Sequence, residues 1–220
     1  MGAVNIDRRD DGIARVAINR TEKRNALNDE VRHTLIAELP GLLRDDAVHA
    51  LVLTGEGGHF CAGGDIASME GLDSKGARAR MKDNHTIVRL IAEAEKPVVT
   101  AIEGFAVGAG AGLAMLGDTA VISEGGTIGF PFFRVGLIPD YGILHTLPRR
   151  AGGAKARQLL LYAKMVRAPD AVAWGLADEL VADGKAEEKA VERALELARM
   201  PPFAFAIAKQ QLGLAPVKLD

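Results

Sequence analysis

Hydrophobic positions along the chain follow two periods, and their succession predicts an α/β fold. Apolar runs typical of strands occupy 13–19, 48–53, 98–102 and 119–123, with a short strand remnant at 180–181. Apolar residues at helical spacing predict helices at 28–43, 75–95, 141–150, 153–163, 169–174, 185–200 and 203–213, and another that begins near 108. The region 123–140 contains many helix breakers, so we expect it to be irregular. The repeated order of strand, glycine loop and helix predicts helices packed on a sheet.

Local signals refine two of these helices. Asn28 is a good N-cap for the first helix, and acidic residues follow it in the first turn. The Pro40-Gly41 pair interrupts the apolar stripe of that helix, so we expect a kink or a break there. Asp140 is suited to be the N-cap of the helix over 141–150.

Two glycine loops follow predicted strands and precede predicted helices. One reads HFCAGGDI (59–66) and the other begins GFAVGAGAG (104–112). Each offers backbone N–H groups that no bulky side chain shields, so each can hold a phosphate or the negative oxygen of a polarised carbonyl. Glycines in such loops also serve tight turns and close packing of helix on sheet, and composition alone favours that structural role. Neither loop has the full dinucleotide-binding or P-loop pattern.

Composition excludes several classes of function. The formal net charge of −2 and the absence of basic runs argue against nucleic-acid binding. No apolar stretch is long enough to span a membrane. The first residues, MGAVNIDRRDDG, contain no apolar h-region, so no secretory signal is expected. A single cysteine, Cys61, excludes an internal disulfide framework and fits a reducing compartment, so we expect a cytoplasmic protein. No cluster of His, Cys, Asp and Glu has metal-ligand spacing, so no metal is predicted.

Four motifs in order resemble the enoyl-CoA hydratase/isomerase (crotonase) family. They are KRNALN (23–28), HFCAGGDI (59–66), EKPVVTAIEGFAVGAGAGLAMLGD (95–118) and FRVGLIPDYG (133–142) followed by LPR. The resemblance runs from about Ile13 to about Phe205 and implies a spiral of ββα units with a helical C-terminal part. It further implies an acyl-CoA thioester substrate, an enolate held by two backbone N–H groups, and assembly into trimers or dimers of trimers. Coenzyme A then enters as part of the substrate, and no tightly bound cofactor is expected.

The resemblance implies one crotonase-like domain over 1–220. Its spiral core covers about 1–183, and a shortened helical C-terminal region covers about 184–220. Family members usually continue some forty residues further, with a terminal helix that covers the acyl-CoA site or a neighbouring subunit. The expectation is that this cover is missing, arranged differently, or supplied by another subunit.

Site residues carry over from the motifs one by one. The first oxyanion donor corresponds to the N–H of Gly64, and the second to the N–H of Ala109. Phe132 belongs to an aromatic cluster that is able to line an apolar acyl pocket. Asp65, beside the first donor, is expected mainly to hold its loop. The residues implied to contact the substrate or its CoA part are Arg24, Ala26, Ala62, Gly63, Asp65, Ile66, Gly108 and Phe132.

The pattern departs from the hydratases of this family at both of their catalytic glutamates. Gly112 and Phe132 stand at those two positions. Adding water across a double bond needs two proton-handling groups, so the resemblance implies an isomerase that uses Asp140 as a single acid/base. The alternatives for Asp140 are a plain helix N-cap or both roles at once. The alternatives for the whole chain are hydration, thioester hydrolysis or decarboxylation, or acyl-CoA binding without catalysis.

Overall fold

A computed structural model describes residues 2–213 of the chain, which form the α/β arrangement that the hydrophobic pattern predicts. Three 3₁₀ turns join some of the elements, and the third, Phe132–Val135, lies within the region expected to be irregular. The strands of the described part are β1 (Val4–Arg8), β2 (Ile13–Ile18), β3 (Ala50–Gly55), β4 (Val98–Ile102), β5 (Phe105–Val107), β6 (Thr119–Ser123), β7 (Thr127–Gly129), β8 (Met165–Arg167) and β9 (Glu179–Val181). The helices are α1 (Asp29–Arg44), α2 (Ser74–Ala92), α3 (Ala109–Met115), α4 (Ile143–Ala151), α5 (Gly153–Leu161), α6 (Ala168–Ala173), α7 (Ala186–Ala198) and α8 (Pro202–Leu212).

The strands form two sheets. The larger has the order β1-β2-β3-β4-β6-β9, with β1 antiparallel to β2 and every following pair parallel. The smaller has the order β5-β7-β8. Because β3 and β4 are parallel neighbours, their carboxyl ends lie at the same edge of the sheet. The two glycine loops leave the large sheet at this shared edge.

Helices cover the large sheet on both faces. On one face, α7 packs its alanine stripe (Ala186, Ala190 and Ala194, all 0% exposed) against β3, β4 and β6. Small side chains let this helix approach the valines of the sheet closely. The C-terminal region that was predicted to be helical contains α7 and α8 in its described part. Residues 214–220 lie outside the described residues.

For α1, the predicted N-cap is confirmed and the expected break is not found. Asn28 caps α1, since its side chain accepts a hydrogen bond from the N–H of Val31 at 3.0 Å. Pro40 does not break α1, which continues to Arg44. Leu39 and Leu42 flank the proline and are both buried, so tertiary packing stabilises the helix where local preference opposes it.

Four strands escaped prediction, namely β1, β5, β7 and β8. The last three have only three residues each, too few for alternation to be recognised. The region expected to be irregular therefore contains β7. Within residues 2–213, no helix is long and apolar enough to cross a membrane.

Candidate active site

A cavity of about 700 Å³ lies where the two glycine loops meet the segment 131–141. That volume is in the range of pockets that bind small molecules. Apolar groups line most of it, including Leu27 from the loop before α1 and Met81 from α2. Among the described residues that line the cavity, only Arg80 and Asp140 have charged side chains.

Backbone hydrogen bonds fix the first glycine loop between two neighbouring segments. On one side, Cys61 donates its N–H to the carbonyl of Phe105 at 2.8 Å and accepts from the N–H of Val107 at 2.9 Å. On the other side, Leu27 donates to the carbonyl of Gly63 at 2.8 Å and accepts from the N–H of Asp65 at 3.0 Å. The peptide units on either side of Gly64 are therefore held at both edges of the loop.

Two glycines allow the loops to approach each other closely. A Cβ on Gly110 would lie 2.2 Å from the carbonyl oxygen of Cys61, which is impossible without moving backbone. Gly63 has φ +103°, and a Cβ there would lie 2.7 Å from the carbonyl oxygen of Val107 and 3.7 Å from the nitrogen of Ala109. These glycines thus have the structural role that composition favours, and their close packing also positions the backbone around the cavity.

The N–H groups of Gly64 and Ala109 have no hydrogen-bond acceptor among residues 2–213. Both residues line the cavity. Ala109 is the first residue of α3, and Gly108 precedes it with φ +56°, a conformation that side chains rarely adopt. Two unpaired donors on residues that line the same cavity are suited to stabilise a negative oxygen.

Asp140 is an acid side chain in a largely apolar cavity. Its Oδ2 accepts a hydrogen bond from Nδ2 of Asn84 at 3.1 Å, and its buried Oδ1 has no partner among the described residues. Burial raises the pKa of this carboxyl to about 6, although the Arg80 cation and the bond from Asn84 oppose the shift. A carboxyl with that pKa is mostly ionised at neutral pH yet easily protonated, as acid/base catalysis requires.

The prediction that Asp140 caps the following helix is wrong. Helix α4 begins at Ile143, its N-cap is Gly142, and no side chain caps it. Only the backbone carbonyl of Asp140 takes part in this turn, accepting from the N–H of Ile143 at 3.1 Å. The carboxylate turns instead toward the cavity and toward Asn84, because the chain reverses sharply at Tyr141, which has φ +48°.

Asn84 is a residue of the site that the sequence analysis did not identify. It is 2% exposed and joins two consecutive residues, since it donates to Asp140 and its Oδ1 accepts from the hydroxyl of Tyr141 at 3.1 Å. The Tyr141 contact therefore fixes which end of the amide faces Asp140. A signal was present, because Asn84 shares a helical face with the buried Ile87 and Ile91, where a polar side chain needs partners.

Gly112 and Phe132 occupy the two positions that correspond to the hydratase glutamates, and of the two only Phe132 lines the cavity. A Cβ on Gly112 would lie 2.5 Å from Cβ of Tyr141 and 2.8 Å from its carbonyl oxygen, so no side chain fits there. Phe132 is 6% exposed and lines the cavity with its ring.

Eight of the predicted site residues line this one cavity. Three do not: Arg24, Ala26 and Asp65. Arg24 is exposed, its carbonyl accepts from the N–H of Ala62 at 2.9 Å, and its guanidinium carbon lies 5.6 Å from the centre of the Phe105 ring. Asp65 forms an ion pair with Arg20 at 3.0 Å, which agrees with its expected role in holding the loop. The eight that line it are Ala62, Gly63, Gly64, Ile66, Gly108, Ala109, Phe132 and Asp140.

Comparison with known proteins shows which family the chain resembles in sequence. The family model described as enoyl-CoA hydratase/isomerase matches residues 8–215. The 1,2-epoxyphenylacetyl-CoA isomerase of Escherichia coli K12 is 35% identical over 209 residues, covering 93% of this chain and 79% of the relative. The crotonyl-CoA hydratase of Syntrophomonas wolfei is 35% identical over 174 residues, covering 79% of this chain and 67% of the relative.

A solved structure agrees in fold as well. The crystal structure of an enoyl-CoA hydratase from Bacillus anthracis superimposes with a TM-score of 0.89 at 27% identity, covering 94% of this chain and 81% of that one. The crotonase-type fold predicted from the four motifs is therefore confirmed. Since the family model spans nearly the whole chain, the protein belongs to the enoyl-CoA hydratase/isomerase family and has the acyl-CoA chemistry of that family.

Proposed function

We propose that the protein is an acyl-CoA isomerase that shifts a double bond, or rearranges a ring, through a thioester enolate. The observation that carries this proposal is the partly unpaired Asp140 carboxylate, which shares one apolar cavity with the unpaired N–H groups of Gly64 and Ala109. The similarity to the 1,2-epoxyphenylacetyl-CoA isomerase of Escherichia coli K12 agrees with it.

For a 3-enoyl thioester the reaction takes two proton transfers. The thioester oxygen accepts hydrogen bonds from Gly64 and Ala109, which makes the protons on the α carbon more acidic. Asp140 removes one of these protons, and the electron pair is delocalised into a dienolate with its charge on that oxygen. The same carboxyl then gives the proton to the γ carbon, which leaves a 2-enoyl thioester and an ionised Asp140.

The pKa of about 6 supports both directions of proton transfer by Asp140. An ordinary exposed aspartate with a pKa near 3.9 is a weaker base and holds the transferred proton poorly. Burial destabilises the ionised form, and the hydrogen bond from Asn84 limits that cost and orients the carboxylate. Asn84 is accordingly proposed as a positioning residue for Asp140.

Hydration is disfavoured by the residues at the two positions that correspond to the hydratase glutamates. A hydratase of this family needs a second carboxylate to activate water. At Gly112 the neighbouring Tyr141 occupies the space that such a side chain needs, and Phe132 offers only an apolar ring. These contacts agree with the interpretation that both hydratase glutamates are absent.

The test is to incubate the purified protein with 3-hexenoyl-CoA and, separately, with crotonyl-CoA, and to identify the products by chromatography and mass. The expected result is 2-hexenoyl-CoA from the first ester and little 3-hydroxybutyryl-CoA from the second. Hydration of crotonyl-CoA faster than isomerisation of 3-hexenoyl-CoA would contradict the proposal. Binding of both esters with no product of either would leave acyl-CoA binding as the function.

A further inference from the structure

Arg80 is the one cationic side chain among the described residues that line the cavity, and the reaction proposed above does not use it. It lies on α2, and its side chain is 11% exposed. Most of the cavity wall is apolar, including Met69, Leu72 and Met81, although Asp140 is close enough for its charge to interact with Arg80. A guanidinium in such surroundings is costly unless polar groups satisfy its five N–H donors.

The protein satisfies only part of this guanidinium. Nη1 donates to Oγ of Ser68 at 3.0 Å and lies 3.9 Å from Oδ1 of Asp29, a carboxylate that also pairs with Arg32. Nη2 has no hydrogen-bond partner among residues 2–213. Arg80 is therefore tethered on one edge and free on the other.

The free edge of the guanidinium lies close to the first glycine loop (59–66), which contains Gly64. Nη2 lies 3.2 Å from the position that a Cβ on Gly64 would occupy. Because the nitrogen and Cβ of one residue are about 2.5 Å apart, Nη2 lies within about 6 Å of the proposed donor. Ser68 keeps the guanidinium at this place, since its hydroxyl accepts from Arg80 and donates to the carbonyl of Asp65 at 2.6 Å in the same loop.

We infer that the acyl group bound here carries an oxygen acceptor, a ketone or a carboxylate, within a few carbons of the thioester, and that Arg80 binds it. This inference rests on the proposed function, because it takes Gly64 to hold the thioester oxygen. An all-hydrocarbon chain that covers Nη2 shields it from water and offers it no acceptor, whereas a ketone or carboxylate oxygen supplies one. The site thus selects oxygenated acyl groups over plain fatty acyl chains.

The experiment measures binding by calorimetry with three thioesters of similar length: hexanoyl-CoA, 3-oxohexanoyl-CoA and glutaryl-CoA. The wild type is expected to bind at least one oxygenated ester about 10–100-fold more tightly than hexanoyl-CoA, the range that one charge-assisted hydrogen bond gives. Which of the two esters binds more tightly identifies the ketone or the carboxylate as the group recognised. Equal binding of all three esters would overturn the inference.

Variants test whether Arg80 causes the preference. Arg80→Met is expected to lose it with little change in hexanoyl-CoA binding, and Arg80→Lys, which retains the charge, is expected to keep it for glutaryl-CoA. Arg78→Met, an exposed arginine on the same helix, is the matched control and is expected to leave all three affinities unchanged. Retention of the preference in Arg80→Met, or its complete loss in Arg80→Lys, would overturn the inference.

A measurement of turnover distinguishes failure of this inference from failure of the proposed function. Isomerisation of 3-hexenoyl-CoA by the wild type supports the function whatever the binding preference is. Failure to bind any of the three esters would overturn the function, and the inference with it.

Discussion

Replacing Asp140 by asparagine is expected to stabilise the fold while it removes catalysis. Burial raises the pKa of this carboxyl from its usual 3.8 to about 6, a shift of about two units. At about 1.4 kcal/mol per unit, the ionised carboxylate costs the native state up to ~3 kcal/mol at neutral pH, and solvent relaxation lowers that figure. Asparagine has nearly the same shape, carries no charge and retains an oxygen to accept from Asn84.

The pH dependence follows from the direction of the shift. Because the native state holds the Asp140 proton up to about pH 6 and the unfolded chain releases it near 3.8, the native state binds more protons between these values. The free energy of unfolding of the wild type therefore falls, through this group, as the pH rises across that range. The Asp140→Asn variant has no carboxyl to ionise at this position. The difference in the free energy of unfolding between the variant and the wild type should therefore grow by about 2 kcal/mol, in favour of the variant, between about pH 4 and about pH 8.

Urea unfolding of both proteins at several pH values measures this difference. Asp10→Asn is the matched control, since Asp10 is an exposed turn residue without a hydrogen bond or ion pair in the described part of the chain. The control should follow the wild type at every pH. An Asp140→Asn advantage that does not change with pH, or a loss of stability at about pH 8, would refute the argument from burial.

Three further predictions concern the other groups of the site. The kcat/KM for isomerisation should rise with pH to a plateau, with a midpoint near the Asp140 pKa of about 6. Asn84→Leu should move that midpoint upward, because the hydrogen bond that favours the ionised carboxylate is lost. An unchanged midpoint would contradict the role of Asn84 as a positioning residue for Asp140. Ala109→Pro removes one proposed oxyanion donor at the first position of a helix, where proline is tolerated, and should lower kcat about 10²–10³-fold. Ala109→Val adds similar bulk but keeps the N–H, so it is the control. An equal loss of kcat in both variants would show that bulk, and not the missing donor, lowers the rate. Gly112→Ala should lower the free energy of unfolding, measured in urea, by about 1–3 kcal/mol, because its Cβ would lie 2.8 Å from the carbonyl oxygen of Tyr141. Gly41→Ala, on the open face of α1, should be neutral or stabilising. Equal effects of the two substitutions would contradict the packing described.

The sequence predicted the loops of the site better than their surroundings. The motifs around Gly64 and Ala109 are local, so the residues that place the two backbone donors are consecutive in the chain. The strands that lead into these loops have clear apolar runs for the same reason. The fold class and the proposed donor positions therefore followed from short stretches and from resemblance.

The partners of Asp140 were not predictable in this way. Asn84 is 56 residues away, and helix α2 brings it to the cavity through packing that periodicity alone does not describe. The N-cap interpretation failed because the left-handed turn at Tyr141 delays the start of α4 and frees the side chain of Asp140. Arg80 has the pattern of an exposed helical charge, and only the position of α2 reveals that it enters the cavity.

The most direct test of the central claim is the rate of 3-hexenoyl-CoA isomerisation by the wild type and by Asp140→Asn at about pH 8, with binding of hexanoyl-CoA measured alongside. Removal of a general acid/base typically lowers kcat about 10²–10⁴-fold. The account predicts a loss of that size in Asp140→Asn with unchanged affinity for the saturated ester. Equal rates in the two proteins would show that Asp140 does not transfer the proton.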